Sequence, residues 1–338
     1  MSVNSLDASI SVGVQSAKGT AATAYKTALA TTSGVNARFD ERPTLLEHPG
    51  SGSSVPWELK AVAERTGYLV PVNATFLLRP RFIGPVLRGV MGVSSVNNTT
   101  HYTHTFTPAT NANLAWLTVL HKFVGDSDFE RKITDVRLTQ LNIDATLEQV
   151  QCQMQGMGLT EGIAAGTETK VAEIGTEISP YSGSVTWTIA GDAPTSTIRG
   201  AQVQITQTLD ENDRVLFSQT RANLPRQRIA VTGTVRGVDI DADTYEAYKL
   251  TKYGSAAGTA PTLTAPTGPL TLTFQSLSNI SGAAVPFRLT MAFAKVQWDL
   301  ESPNANNDDT VRADITWRLV GDSSPAMTFT VVSDQATP

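Results

Sequence analysis

Residues 132–158 read KITDVRLTQLNIDATLEQVQCQMQGMG, and their periodicity decides the fold class. Val136 and Leu138, then Leu141, Ile143, Ala145 and Leu147, are apolar in near period-two order. Side chains alternate between the two faces of a strand, so this order predicts a strand with one buried face. The slip between 138 and 141 predicts a bulge or register correction. After Glu148 and Gln149 the alternation resumes as Val150, Cys152 and Met154, and the whole stretch predicts a long hairpin. Its other face carries Gln140, Asn142, Asp144, Gln149, Gln151, Gln153 and Gln155. Neutral amides with scattered acids make a wet surface that is neither sticky nor basic.

Downstream, residues 160–180 are dominated by Gly, Thr and Glu, which fits a domain boundary. At 338 residues the chain is long enough for two domains, and the division is placed at 1–165 and 166–338. The second part opens on a strand in which Val185, Trp187 and Ile189 alternate. Residues 201–207 and 215–219 are predicted to form a hairpin around DEND. A long strand follows, with Ile229, Val231, Gly233 and Val235 on one face. Asp243 or Thr244 caps a short helix stopped by Gly254. Strands are expected at 270–277, 288–300, 311–319 and 326–332. The stretch 288–300 is apolar on both faces and predicts a strand covered on both sides.

Upstream, residues 9–14 predict a short strand. The small, polar residues 16–36 read as an extended arm, not as a core element. Ser54, Pro56 and an apolar stripe predict a helix over 54–65. A strand is expected at 69–78, a break at 80–85, and a short helix at 86–91 ending at Gly92. A polar turn, NNTT, precedes a strand at HYTHTF, and residues 114–123 suit a core strand or a short helix. Both halves contain strands, one short helix ending in Gly and long strands after it, a plan consistent with tandem copies of one fold.

Composition narrows the function. Charged residues are 17% of the chain, against about 25% in ordinary globular domains. The polar surface therefore rests on Thr, Ser, Asn and Gln. A net charge of -5 argues against tight nucleic-acid binding, which needs dense Lys and Arg. Cys152 is the only cysteine, which excludes an internal disulfide, and it reads as a buried inert thiol. The first residues lack a basic segment followed by an apolar run, and no stretch of about 18 apolar residues occurs, so neither a signal peptide nor a membrane anchor is expected.

The candidate sites are weak. His101 and His104 lie three apart on an expected strand and point to opposite faces. Asp239, Asp241 and Asp243 share a face if extended, but lack the Gly and terminal Glu of a calcium loop. Arg79, Arg81 and Arg88 lie near apolar residues and suit carboxylates across an interface. No phosphate-loop, GxSxG or HExxH motif occurs. The reading predicts no catalytic, cofactor or metal residues.

Four stretches carry a resemblance. They are VGVQSAKGTAAT (12–23), FIGPVLRGVMG (82–92) followed by HYTHTFTP (101–108), the hairpin at 132–158, and residues 185–254 with their order of hairpin, Leu-Pro segment, long strand and short helix. In this order they resemble the tail tube proteins of siphoviruses, the long-tailed bacteriophages, over nearly the whole chain. The resemblance implies a mainly β fold of tandem sandwich or barrel-like units with short flanking helices. Such units form stacked rings, each contributing about four strands to a β-barrel round a lumen. The lumen is expected to be acidic, so that genome DNA passes during ejection without binding. Residues 135–158 match the family's hairpin, with 228–240 and 287–300 as counterparts in the second unit. Asp144, Glu148, Asp239 and Asp241 are the candidate lumen-facing acids.

Two units per chain imply trimeric, pseudo-hexameric rings; one unit implies hexameric rings. The tape measure protein and the tail terminator or tip proteins are the implied partners. The implied location is the virion tail, after assembly in the host cytoplasm. The longer section 21–66 departs from the simplest family pattern, and removing residues 1–34 is expected to weaken ring stacking more than folding. Another β-rich phage tail or capsid protein is the alternative. A carbohydrate-binding sandwich needs exposed aromatics, whereas Trp187, Trp298 and Trp317 fall in strands.

Overall fold

The computed structural model describes residues 8–30, 32–35, 38–42, 64–98, 101–110, 113–123, 130–172, 178–189, 191, 193, 197–213, 218, 221–239, 242–255, 257–300, 312–321 and 325–337. The fold is mainly β. The chain opens with β1 (Ala8–Val14), β2 (Ala24–Leu29), β3 (Thr32–Val35), β4 (Arg38–Arg42) and β5 (Glu64–Leu77). Helix α1 (Pro80–Val90) precedes β6 (Gly92–Asn98), β7 (Tyr102–Pro108), β8 (Leu117–Phe123), β9 (Glu130–Ala145) and β10 (Val150–Gly158). Then come β11 (Thr160–Ile163), β12 (Thr169–Ala172), β13 (Ser179–Trp187), β14 (Gly200–Leu209) and β15 (Arg226–Asp239). Helix α2 (Ala242–Tyr253) leads to β16 (Thr267–Asn279), β17 (Pro286–Leu300), β18 (Arg312–Leu319) and β19 (Met327–Ser333).

The quoted stretch is the hairpin β9–β10. Leu141, Ile143, Ala145, Val150, Cys152 and Met154 are all buried. The slip is a bulge: Gln155 faces Gln140 and Gly156 faces Leu138, leaving Thr139 without an opposite residue. A second irregularity bends the same strand. Val119 faces Ile133 and Leu117 faces Val136, so three steps on β9 span two on β8. Asp135 takes φ 55 at this bend, and its Oδ1 accepts the Gly19 N–H at 2.7 Å.

The bend lets β9 serve two layers. Its first half pairs with β8 and β11, and its second half with β10 and β14. β17 does the same. It pairs with β16 along one edge, and on the other with β19 in its first half and β18 in its second. Leu270 faces Phe293 and Gly268 faces Val296, again three steps against two. The remaining pairings correspond too: β5 lies on β10 as β15 lies on β18, and β1 lies on β8 as β13 lies on β16. A helix starts three residues after β5 and three residues after β15.

The inner layer runs β3/β4–β5–β10–β9–β14–β15–β18–β17, antiparallel throughout. Its apolar face packs with α1 and the outer strands into one core that includes Phe76, Phe82, Leu141, Val235, Phe293, Trp298 and Phe329. Phe76 meets Phe82 edge-on at 4.7 Å, and Trp187 meets Trp298 at 5.5 Å. Rings at such angles gain from quadrupole alignment as well as burial.

Several expectations change. Residues 16–30 are not an arm outside the core, because β2 pairs with β1 and its Tyr25 is buried. The break at 80–85 is the start of α1: Pro80 fits the first helical position, and burial of Phe82 and Ile83 outweighs Pro85 inside the helix. Gly92 ends the helix region at φ 95. The helix expected over 54–65 lies outside the described residues up to 63, and Glu64 and Arg65 begin β5. β14 pairs with β15, not with 215–219, of which only Ser218 is described. Nor is β17 covered on both sides. Leu289, Met291 and Phe293 are buried, then Val296, Trp298 and Leu300, because the bulge shifts the buried parity. Of residues 114–123, Leu117–Phe123 form a strand, and Cys152 is fully buried, with burial pushing its thiol pKa up.

Burial also lowers the pKa of two histidines. His104 Nε2 lies 2.8 Å from the Gln335 carbonyl; desolvation lowers its pKa, this hydrogen bond opposes the shift, and Lys26 adds to it. His121 is lowered by desolvation and then by Arg131. The unfolded chain protonates His104 and His121 near 6.5, the folded chain only at lower pH. Across that window the unfolded state holds more protons, so stability falls as pH drops below about 6.5 and levels off beneath the folded pKa. Thermal melts between about pH 7 and 5 are expected to show this decline, and a His104→Gln/His121→Gln variant to flatten it. Parallel curves for both proteins would refute the assignment.

Candidate functional site

The polar face of the inner layer is the most extended ordered surface that the sequence pattern singles out. The pairings align its side chains in rows across the strands. One row runs Thr75, Gln153, Asn142, Gln204, Thr232, Arg318 and Gln297 from β5 to β17. The next runs Leu77, Gln151, Asp144, Gln202, Thr234, Thr316 and Asp299. Amides and hydroxyls dominate because alternate positions on each strand must be polar while their neighbours fill the core.

Charges on this face are largely neutralised locally. Arg236 Nη1 donates to Asp144 Oδ1 at 2.7 Å, and its Nη2 donates to Gln202 Oε1 at 2.7 Å. Gln202 Nε2 in turn donates to Asn142 Oδ1 at 3.0 Å. This chain of bonds crosses from β9 through β14 to β15 and stitches the junction between the two halves. Asp239 lies 3.2 Å from both Arg199 and Arg312. Arg318 donates twice to Gln297 Oε1, at 2.9 and 2.7 Å. By register, Arg228, Arg236, Arg312 and Arg318 share the face with Asp144, Asp239, Asp299 and Asp314, so these described charges cancel.

Of the four predicted acids, Asp144 and Asp239 occupy this face, and each is ion-paired. Glu148 is exposed in the β9–β10 turn, where its N–H donates to Thr146 Oγ1 at 3.3 Å. Asp241 lies outside the described residues. The arginine partners went unmarked in the sequence because Arg236 on β15 meets Asp144 on β9 only across β14, through two registers that leave no local signal. Over β14, β15, β18 and β17 the face forms a shallow groove of about 750 Å³, walled by Pro261, Thr262 and Leu263.

Elsewhere chemistry is sparse. His104 is buried in β7 and His101 precedes it. Among the described residues no three His, Cys, Asp or Glu side chains converge to hold a metal ion. Arg81 pairs with Asp334 of the same chain. Trp187, Trp298 and Trp317 are buried and offer no open stacking platform. Among the described residues no helix is long and apolar enough to cross a membrane. The family described as phage tail tube protein matches residues 3–319. No curated protein matches the chain.

Proposed function

The chain belongs to the phage tail tube protein family, and from that premise we propose that it builds the tail tube of a siphovirus through stacked rings of three chains. Members of this family are structural proteins of the virion tail that assemble into a tube. Each chain supplies two tube units, residues 1–165 and 166–338, and the inner layer lines the lumen. The observation that carries this reading is the repeated pairing plan: two four-stranded halves joined edge to edge at β9 and β14. A closed barrel of such sheets leaves no open strand edge, and rings that stack face to back grow into a filament.

The lining suits passage of double-stranded DNA. Specific and non-specific binding both need cations free to replace counterions, and Arg236 and Arg312 are held by Asp144 and Asp239. Asp144, Glu148, Asp239 and Asp241 are assigned to the lumen side, with the tape measure protein inside before DNA and terminator or tip proteins at the ends. Assembly takes place in the host cytoplasm, and the chain works without catalysis or a cofactor.

Cryo-electron microscopy of the concentrated protein without nucleic acid is expected to show tubes with a continuous central channel and three chains per ring. Dispersed monomers across salt and temperature, or a closed shell, would overturn the proposal. A closed shell would favour a capsid role instead.

A further inference from the structure

The junction inside the chain specifies a junction between chains. β14 sits on the second half of β9, beginning at Gln140, just past the point where β8 leaves the same edge at Val136. In the second half of the chain, β16 leaves β17 at Gln297, and nothing among the described residues pairs with that edge of β17 beyond Trp298, whose N–H donates to Pro266 at 3.2 Å. At the opposite end of the inner layer, β3 and β4 pair only with β5 among the described residues. They hold one register on it, Val35 facing Val72 and Arg38 facing Leu69, and so present a common edge.

The two halves can be superimposed by their pairings. Ala74, Met154 and Leu141 lie in one row of the first half, as Val235, Ile315 and Leu300 do in the second. Ser33 faces Ala74, and Ala201 faces Val235. Ser33 is therefore the counterpart of Ala201. Five residues on, Arg38 is the counterpart of Thr206, and Asp299 is the counterpart of Gln140. Within the chain, Thr206 faces Gln140.

We propose that a second copy of this chain adds its β3–β4 strand, antiparallel, to the end of β17, in the register that β14 holds on β9, so that Arg38 of one copy faces Asp299 of the next. The proposal rests on the tube reading and names the contact that closes its ring. The pair is complementary in charge, and opposite charges directly across a ladder are favourable. The Asp299 side chain is 73% exposed and lies 3.5 Å from Lys252 at the nearest ion pair. Within one chain no pairing joins these two edges among the described residues, and seven strand spacings of about 4.8 Å separate them along the sheet.

Engineered cysteines test the register against the low background of buried Cys152. Arg38→Cys/Asp299→Cys protein is assembled, treated with a short thiol-bridging reagent and run on a denaturing gel. Bridged dimers and closed trimers are expected. Gln140→Cys/Thr206→Cys, the matching pair inside the chain, is expected to give a fast-migrating monomer. Thr32→Cys/Asp299→Cys, displaced about 20 Å along the strand, is expected to stay monomeric. Tubes in which the internal pair bridges and the Arg38–Asp299 pair does not would overturn the junction and leave the tube reading intact. Wild-type protein that forms no rings would instead overturn the tube reading.

Equal bridging from Thr32 would overturn the register. If the cysteine pair impairs assembly, Arg38→Asp and Asp299→Arg replace it. Each single reversal is expected to block tube growth and the double exchange to restore it, and unimpaired single variants would overturn the junction.

Discussion

A chain lacking residues 1–34 will not fold, which reverses the expectation from the sequence that ring stacking would suffer more than folding. The small residues of this segment hide two strands that complete the outer layer. β1 covers the whole of β8, from Ala8 opposite Phe123 to Val14 opposite Leu117, and β2 covers β1 in turn. Ile10, Val12 and Tyr25 are buried, and Tyr25 donates to the Ala22 carbonyl at 2.5 Å. Burying each large apolar side chain stabilises by about 1.5–3 kcal/mol. Removing three of them and opening the edge of β8 is comparable to the whole stability of a domain, about 5–15 kcal/mol. Gly19 would also be lost from Asp135, whose left-handed backbone at the β9 bend it helps to hold. The expected result is loss of the β signal in circular dichroism and of a cooperative melt. A truncated chain that melts like the full one would remove β1 and β2 from the core.

Gly233→Ala is expected to cripple the chain by a different route. A Cβ at this position would stand 2.2 Å from the Gln202 carbonyl and 2.4 Å from Trp317 Cζ2. The Gln202 backbone belongs to the β14–β15 ladder, so it cannot move without breaking pairing on both sides. Overpacking of this kind costs about 1–3 kcal/mol or more. Trimming the neighbour distinguishes the causes. Gly233→Ala/Trp317→Leu relieves the ring contact but leaves the backbone contact, so the double variant should be less stable than Trp317→Leu alone. Urea unfolding measures this, and a double variant as stable as Trp317→Leu alone would show that the ladder tolerates the extra carbon.

Legibility in the sequence followed locality and residue size. The β9–β10 hairpin was readable because large apolar residues alternate with amides, and even the bulge at Thr139 left its mark as a slip in period. β2 was not, because Ala28 within it and Ala22 and Ala30 beside it are buried without being conspicuously apolar. β12 is exposed at all four positions and has no period to find. In β17 the bulge at Ala294 and Lys295 put apolar residues on both parities and imitated a strand covered twice. Helix α1 was shortened because two prolines outweighed Phe82 and Ile83 in a local reading. For the polar face, Gln140, Asn142, Asp144 and the glutamines of β10 were identified. Their partners on β14 and β15 were not, since strands that meet across about sixty residues leave no spacing signal.

The two bent strands have a mechanical consequence. β9 and β17 each run without interruption from the outer layer into the inner one, so neither layer can shear past the other without stripping a ladder of hydrogen bonds from a continuous backbone. In a sandwich whose layers share only side-chain packing, such sliding needs no bond to break. Here each strand acts as a strut, and a load applied to one layer is carried directly to the other.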